Sequence, residues 1–228
     1  MLTIGILGVT IPGAVDCITK INRLKGSYFR GETHPNILFY QPDFGPMGEA
    51  LRLQHWDVVL DSLAKSAEKL ANAGADFVIV PANTVHKVIH DLQKRSPIPV
   101  LNMLEKAASD CAKKSFRKVG IMGTAWTMSG HLYREELAKK GIEEVIPDTQ
   151  QQQVIQQAIF SELIPTGQVN RQTLSKLVEI VTSLQERGCD GVALACTELP
   201  LALNEGNCPI PAIDPTALLA QAALERAL

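Results

Sequence analysis

One phrase occurs twice in this chain of 228 residues, and it limits the fold more than any other feature. Residues 74–84 and 188–198 both begin Gly-x-Asp, continue as an apolar run and end in a short polar segment. When the two are aligned, Ala82 falls where Cys196 stands, at an offset of 196 − 82 = 114 residues. An apolar run of this length, bounded by glycine, is typical of a strand buried on both faces of a sheet.

Two further pairs of segments keep nearly the same offset. Residues 4–8 repeat as 119–123, and the Pro-x-Pro segment at 97–100 repeats as 209–212. A spacing that is kept across three pairs indicates an internal duplication rather than the chance reuse of similar strands. The chain is therefore predicted to consist of two similar halves.

The order of elements predicts the fold class. Apolar runs alternate with segments of helical periodicity, which favours an α/β fold with a parallel sheet flanked by helices in each half. The first half is expected to span 1–103 and to be joined by a final helix at 216–228, whereas the second spans 104–215. Because ligands bind at the carboxyl ends of parallel strands, the active site is expected in a cleft between the halves.

Four local predictions concern the first half. A strand is expected at 36–40, and the Pro- and Gly-rich segment 41–48 is expected to hold no regular structure. A helix is expected over 85–94 and a closing strand over 100–102.

Composition excludes several classes of protein. A net charge of −2 argues against a broad nucleic-acid surface, and five cysteines without a Cys-x-x-Cys pair indicate neither a disulfide framework nor a zinc site. His86 and His90 are spaced like zinc ligands, but the glutamate of that motif is absent, so no metal is expected. The first residues are interrupted by Gly5 and Gly8 and are interpreted as a strand, not a signal peptide or membrane span. A cytoplasmic protein is expected.

The candidate catalytic residue is Cys196, which follows the second copy of the buried strand. Backbone N–H groups at the start of a turn lower the pKa of a thiol and so favour the reactive thiolate. The polar residues Thr197 and Glu198 follow at once, which favours a functional cysteine over an inert buried one. The other four cysteines are interpreted as structural.

Hydroxyl and amide side chains follow the equivalent strands. Asn83 and Thr84 come after the first copy, and Thr124 and Thr127 come after the strand at 119–122. Together with free loop N–H groups they form a suitable cradle for a carboxylate. The same residue types are also the usual helix caps, and both roles remain open at this point.

Three phrases carry a resemblance to a known family. The segments 81–86 (PANTVH), 119–128 (VGIMGTAWTM) and 195–201 (ACTELPL) resemble the aspartate/glutamate racemase superfamily, and the likeness extends almost from end to end. The last phrase is the most specific of the three. Aspartate racemases are the branch that the second half resembles most.

The resemblance implies a cofactor-independent amino-acid racemase. In that family two cysteines flank the substrate Cα, and one removes a proton while the other returns one to the opposite face. It further implies a homodimer, an acidic substrate with aspartate preferred over glutamate, and no cofactor. By the same likeness Cys196 is one acid/base and position 82 is the other. The implied substrate ligands are Asn83, Thr84, Thr124, Thr127, Thr197 and Glu198, with Gln41 and Arg52 reaching the side chain.

The sequence departs from the family pattern at the partner base. Ala82 stands where relatives have cysteine or threonine, and alanine cannot transfer a proton. Ile164 stands where some aspartate racemases have lysine, and Leu219 where many members have histidine.

Three hypotheses account for Ala82. The chain is a racemase whose cysteine at this position was replaced by alanine, giving an inactivated variant. Alternatively, it is a one-thiol enzyme related to arylmalonate decarboxylase, because decarboxylation produces the carbanion without a base. In the third hypothesis, the chain is a catalytically silent protein that binds an amino acid.

Overall fold

The computed structural model describes all 228 residues, and the chain divides into two compact units. Unit 1 comprises Met1–Met103 together with Thr216–Leu228, and unit 2 comprises Leu104–Pro215. Each unit contains one parallel β-sheet with helices packed against it. The predicted α/β class with two parallel sheets is confirmed.

Unit 1 contains a three-stranded sheet in the order β2-β1-β3, with both strand pairs parallel. The central strand is fully buried, as its apolar sequence predicts. The strands are β1 (Ile4–Leu7), β2 (Ile37–Tyr40) and β3 (Phe77–Ile79); the helices are α1 (Ile11–Leu24), α2 (Phe44–Leu53), α3 (Trp56–Asn72) and α4 (Ile89–Arg95), with 3-10 turns at Lys25–Ser27 and Thr84–Val88.

Unit 2 contains a four-stranded parallel sheet in the order β5-β4-β6-β7, which repeats the topology of unit 1 and adds one strand. The strands are β4 (Lys118–Gly123), β5 (Glu143–Val145), β6 (Gly191–Ala195) and β7 (Ala212–Ile213); the helices are α5 (Met103–Lys113), α6 (Ala125–Ser129), α7 (Arg134–Ala138), α8 (Thr149–Gln157), α9 (Ile164–Thr166) and α10 (Arg171–Glu186), with a π-helical turn at Ala158–Leu163 and a 3-10 turn at Leu199–Leu201.

The last helix, α11 (Pro215–Ala227), packs on the core of unit 1. Leu219 and Leu224 are fully buried against β1 and β3 residues, and the N–H of Leu2 donates to the carbonyl of Ala227 over 2.9 Å. Burying each such leucine contributes about 1.5–3 kcal/mol. None of the helices combines the length and the apolar character needed to cross a membrane.

The repeated aspartates have the same structural role in both units. Asp76 accepts a hydrogen bond from the N–H of Thr3 at 2.6 Å, and Asp190 accepts from the N–H groups of Arg117 at 2.6 Å and Lys118 at 3.0 Å. Each carboxylate thus ties the start of one strand to the start of its neighbour. The aspartate of the Gly-x-Asp phrase therefore helps to align neighbouring strands in both halves.

The prediction that 41–48 holds no regular structure is wrong from Phe44 onwards. Helix α2 begins at Phe44, and its Ncap residue Asp43 accepts from the N–H of Gly45 at 3.0 Å. Pro46 lies in the first turn, where the helix leaves N–H groups without intrahelical partners, so the missing donor costs nothing. The proline therefore favours the helix start instead of breaking it.

The expected strand at 100–102 is reduced to a single bridge between Val78 and Val100. The N–H of Leu101 donates to Val78, but the next donor in the ladder, Met103 N–H, donates to Nε2 of His86 at 3.1 Å. A buried imidazole thus takes the hydrogen bond that would extend the strand. The expected helix over 85–94 forms in two parts, a 3-10 turn and then α4, and His86 lies in the first.

Candidate active site

Cys196 immediately follows β6, whose five residues are all buried. Its side chain is 8% exposed, and Sγ donates a hydrogen bond to Oε2 of Glu198 at 3.0 Å. The hydroxyl of Thr197 donates to the same oxygen at 2.7 Å. The phrase Cys-Thr-Glu therefore folds into a closed cluster in which one carboxylate oxygen accepts two donors.

The pKa of the Cys196 thiol is raised well above its usual value, chiefly by burial and then by the charge and hydrogen bond of Glu198. The backbone N–H groups of Glu198 and Leu199 lower the pKa, as the sequence predicted, but their effect is the smaller one. The prediction of a thiol pKa lowered by its position is therefore wrong. At neutral pH the side chain is a protonated thiol, suited to donating a proton.

The loop that contains Ala82 is anchored by the buried side chain of His86. The buried imidazole contacts the carbonyl of Ala82 through Nδ1 at 2.8 Å and accepts from Met103 N–H through Nε2. Because a carbonyl oxygen only accepts, Nδ1 carries the proton and the ring is neutral. Burial lowers the pKa of His86 to about 4, which is consistent with that state. No sequence signal shows this anchoring role of His86.

Three predicted ligands lie at the carboxyl edge of the unit 1 sheet. Asn83 is 6% exposed, its carbonyl accepts from the N–H of His86 at 2.9 Å, and Thr84 begins the 3-10 turn and is half-buried. Gln41 follows β2, and its Nε2 donates to the carbonyls of Val9 and Pro42 at 3.1 and 3.0 Å. These two bonds fix the amide, and they leave a buried Oε1 without a hydrogen-bond partner.

Thr124 and Thr127 lie in unit 2 beside the Cys196 loop. Gly123 pairs with Ala195 at the ends of β4 and β6, so Thr124 and Cys196 are the next residues along adjacent strands. The two threonine hydroxyls are 3.2 Å apart, and Thr127 is fully buried. Thr124 is the Ncap residue of α6 but makes no side-chain capping bond, so the capping interpretation does not account for its hydroxyl.

A cavity of about 440 Å³ opens in unit 2 next to this turn. The N–H of Ala125 donates to Oε1 of Gln156 at 2.9 Å at its margin. None of the lining residues is charged, and they are Ala125, Thr149, Gln152, Gln153, Gln156, Gln157, Phe160 and Ser161.

Arg52 lies in the last turn of α2 rather than on a loop, and its side chain is exposed. A positive charge near a helix C-terminus is favourable in itself, because it compensates the partial negative charge of the terminal carbonyls. The structure thus brings Cys196, Thr197, Glu198, Thr124 and Thr127 to one edge of the unit 2 sheet. It brings Ala82, Asn83, Thr84 and Gln41 to the corresponding edge in unit 1.

Comparisons with known proteins agree with this architecture. The family described as Asp/Glu/Hydantoin racemase matches residues 6–223. A broad specificity amino-acid racemase of Bacillus subtilis is 28% identical over 166 residues, which cover 72% of this chain and 70% of that protein. The crystal structure of an aspartate racemase homologue from Pyrococcus horikoshii has a TM-score of 0.88 and 28% identity, with 100% of this chain and 99% of that one covered.

A more distant structure concerns the decarboxylase alternative. The Gly74Cys mutant of arylmalonate decarboxylase has a TM-score of 0.60 and 13% identity, with 99% of this chain and 93% of that one covered. At that identity the likeness concerns the fold alone.

Duplicated parallel sheets with a buried thiol at the end of one strand define the α/β architecture, and the matched relatives bear out the predicted class of amino-acid racemase, an isomerase. The chain belongs to the Asp/Glu/Hydantoin racemase family.

Proposed function

We propose that this protein transfers a proton at the Cα of an acidic amino acid without a cofactor, with Cys196 as the acid/base on one face. The observation that carries the proposal is the buried thiol at the end of β6, held by a hydrogen bond to Glu198. A cysteine beside Cα can remove the Cα proton when it is a thiolate, and it can return a proton to Cα when it is a thiol. Position 82 is the partner position, and alanine there supplies no second proton.

The predicted substrate ligands have separate roles in this proposal. Removing the Cα proton moves negative charge onto the α-carboxylate, and the hydroxyl groups of Thr84 and Thr124 with the amide of Asn83 stabilise it there. The hydroxyl proton of Thr197 is already donated to Glu198. Its oxygen can therefore accept from the substrate ammonium but cannot also donate to the carboxylate.

The acidic preference, aspartate before glutamate, rests on the family likeness and on Arg52 as the cation for the distal carboxylate. The uncharged cavity beside Ala125 supplies no cation of its own. A carboxylate buried without a positive partner is strongly unfavourable, so Arg52 has to reach the substrate if the preference holds.

Hydrogen–deuterium exchange at Cα tests the proposal. The L- and D-enantiomers of aspartate and glutamate are incubated with the protein in D₂O, with proton loss followed by NMR and optical purity by chiral chromatography. We expect exchange of one enantiomer with little inversion, because only one face has a proton-transfer group. Cys196→Ala should reduce the exchange by about 10²- to 10⁴-fold. The matched control is Cys208→Ala, a half-buried thiol of the same unit, which should leave the rate unchanged.

Exchange that survives Cys196→Ala would refute the assignment. Binding of an amino acid with no exchange in the unmodified protein would favour the silent binder instead.

A one-thiol decarboxylase is the second candidate, and a specific observation favours it. The raised pKa of Cys196 keeps the thiol protonated, and loss of CO₂ from a substituted malonate leaves a carbanion that needs only one proton donor. Release of CO₂ from an aryl-substituted malonate, together with no Cα exchange of amino acids, would establish this function over the first.

A further inference from the structure

Glu198 was predicted to be a substrate ligand, but its contacts point to another role. One oxygen, Oε2, accepts from Sγ of Cys196 at 3.0 Å and from the hydroxyl of Thr197 at 2.7 Å. Oε2 already accepts from two neighbouring donors, so this oxygen has little capacity left for a substrate. It would also repel an acidic substrate, whose carboxylates carry the same charge.

The same carboxylate creates a difficulty for the proposed chemistry. A buried thiol has to lose its proton before it can act as a base, and a neighbouring negative charge opposes that loss. The difficulty disappears if the carboxylate itself accepts the proton, because it is already hydrogen-bonded to the thiol.

We propose that Glu198 is a positioning residue that holds the proton of Cys196, and this inference rests on the proposed function. In the step, the S–H bond of Cys196 breaks and an O–H bond forms on Oε2, so that a thiol and a carboxylate become a thiolate and a carboxylic acid. The site carries one negative charge before and after, so no additional charge enters the buried cluster.

The proton then follows a balanced route. The thiolate takes the Cα proton and becomes a thiol again, while the neutral Glu198 no longer repels the carbanion. The reverse steps return a proton to Cα and restore the carboxylate. When Glu198 is ionised, the hydroxyl of Thr197 donates to its Oε2 atom. This bond holds the acceptor oxygen in line with Sγ of Cys196.

Titration of the thiol tests this role independently of turnover. Alkylation of Cys196 by iodoacetamide is measured against pH by site-resolved mass spectrometry in the unmodified protein and in Glu198→Gln. Glutamine keeps a hydrogen-bond acceptor but has no charge and cannot take the proton. We expect the midpoint of alkylation to fall by about one to three pH units, because the like charge is gone.

The exchange assay supplies the second readout. We expect Glu198→Gln to lower the rate constant for Cα exchange by about 100-fold or more, with the KM changed by less than about threefold. The matched control, Glu205→Gln, removes the same charge from an exposed loop of the same unit and should change neither readout. Should the Gln variant not fold, Glu198→Asp keeps a carboxylate and should retain the high alkylation midpoint with slower exchange.

An unchanged alkylation midpoint in Glu198→Gln, or a loss of activity that arises from the KM alone, would overturn the inference and return Glu198 to substrate binding. In the Asp variant, a midpoint that falls to the ordinary value of a free thiol would also overturn it. If the unmodified protein catalyses no Cα exchange, the proposed function fails, yet the alkylation midpoints still decide whether Glu198 controls the proton of Cys196.

Discussion

The loops that follow β3 and β6 begin from the same repeated phrase and differ in what fixes them. The loop at Ala82 is anchored by a neutral imidazole buried beneath it, and it presents no group that transfers a proton. The loop at Cys196 is anchored by a carboxylate two residues away, which also contacts the only candidate acid/base. The same strand-end geometry therefore carries an alanine anchored by histidine in unit 1 and a hydrogen-bonded Cys-Thr-Glu cluster in unit 2.

The sheets differ for a related reason. In unit 2 the Pro-x-Pro repeat leads into β7, which pairs with β6 at Ala212 and Ile213. In unit 1 the corresponding strand ends after one bridge, because Met103 N–H is directed to His86. The two halves thus differ in strand pairing at this point, because His86 accepts the hydrogen bond that would extend the strand in unit 1.

Restoring a thiol in the unit 1 loop is the strongest way to test this comparison. We expect Ala82→Cys to raise aspartate racemisation by about 10²-fold or more, since the proposed function then gains its second proton-transfer group. Chiral chromatography measures the inversion. Ala82→Ser is the matched control, because its hydroxyl has nearly the same size but is a much weaker acid and base. No gain in Ala82→Cys, or a gain that survives the added change Cys196→Ala, would contradict the proposed pairing of positions 82 and 196 as acid/bases.

The imidazole anchor predicts an acid sensitivity that originates in unit 1. His86 has a folded pKa of about 4 against 6.5 in the unfolded chain, so the unfolded chain takes up the proton first as the pH falls. The stabilisation is complete above the unfolded pKa and is lost between there and the folded pKa, a change of about 3 kcal/mol. The free energy of unfolding of the unmodified protein should therefore decrease by this amount as the pH falls from 6.5 to about 4. The free energy of unfolding of His86→Gln should not show this decrease.

Urea unfolding at several pH values measures the difference between the two proteins. His55→Gln removes an exposed imidazole and should leave the pH dependence as it is in the unmodified protein. If the free energy of unfolding changes with pH in the same way in the unmodified protein and in His86→Gln, His86 is not the group that titrates.

The glycines that end β1 and β4 give the smallest expected effect. A methyl group on Gly123 would lie 2.6 Å from the carbonyl oxygen of Ala195, which is part of the sheet and cannot move aside. A methyl group on Gly8 would meet Phe39, which is exposed and can rotate, and Gln41, whose amide would have to shift from its bonds to Val9 and Pro42. We expect Gly123→Ala to cost about 1–3 kcal/mol in urea unfolding and Gly8→Ala to cost less. Equal costs would show that the two strand ends are equally tolerant.

The repeated phrases were sufficient to predict the fold class. Buried strands need continuous apolar sequence, and turns need glycine and proline, so these local requirements are visible in the chain itself. The Cys-Thr-Glu phrase likewise indicated Cys196 as the candidate acid/base, and that role stays a prediction. The helix at Phe44 was missed because proline is unfavourable inside a helix yet favourable in its first turn, and the difference depends on where the helix begins.

The sequence by itself determined the duplicated parallel sheets, the racemase family and the position of Cys196 at a strand end. Only the tertiary structure decided that His86 is buried under the Ala82 loop and that the pKa of Cys196 is raised rather than lowered. Both outcomes depend on burial and on contacts between side chains that the fold brings together. The free energy of a charged group at a buried position depends on the groups that the fold places around it. The order of residues along the chain does not reveal these neighbours.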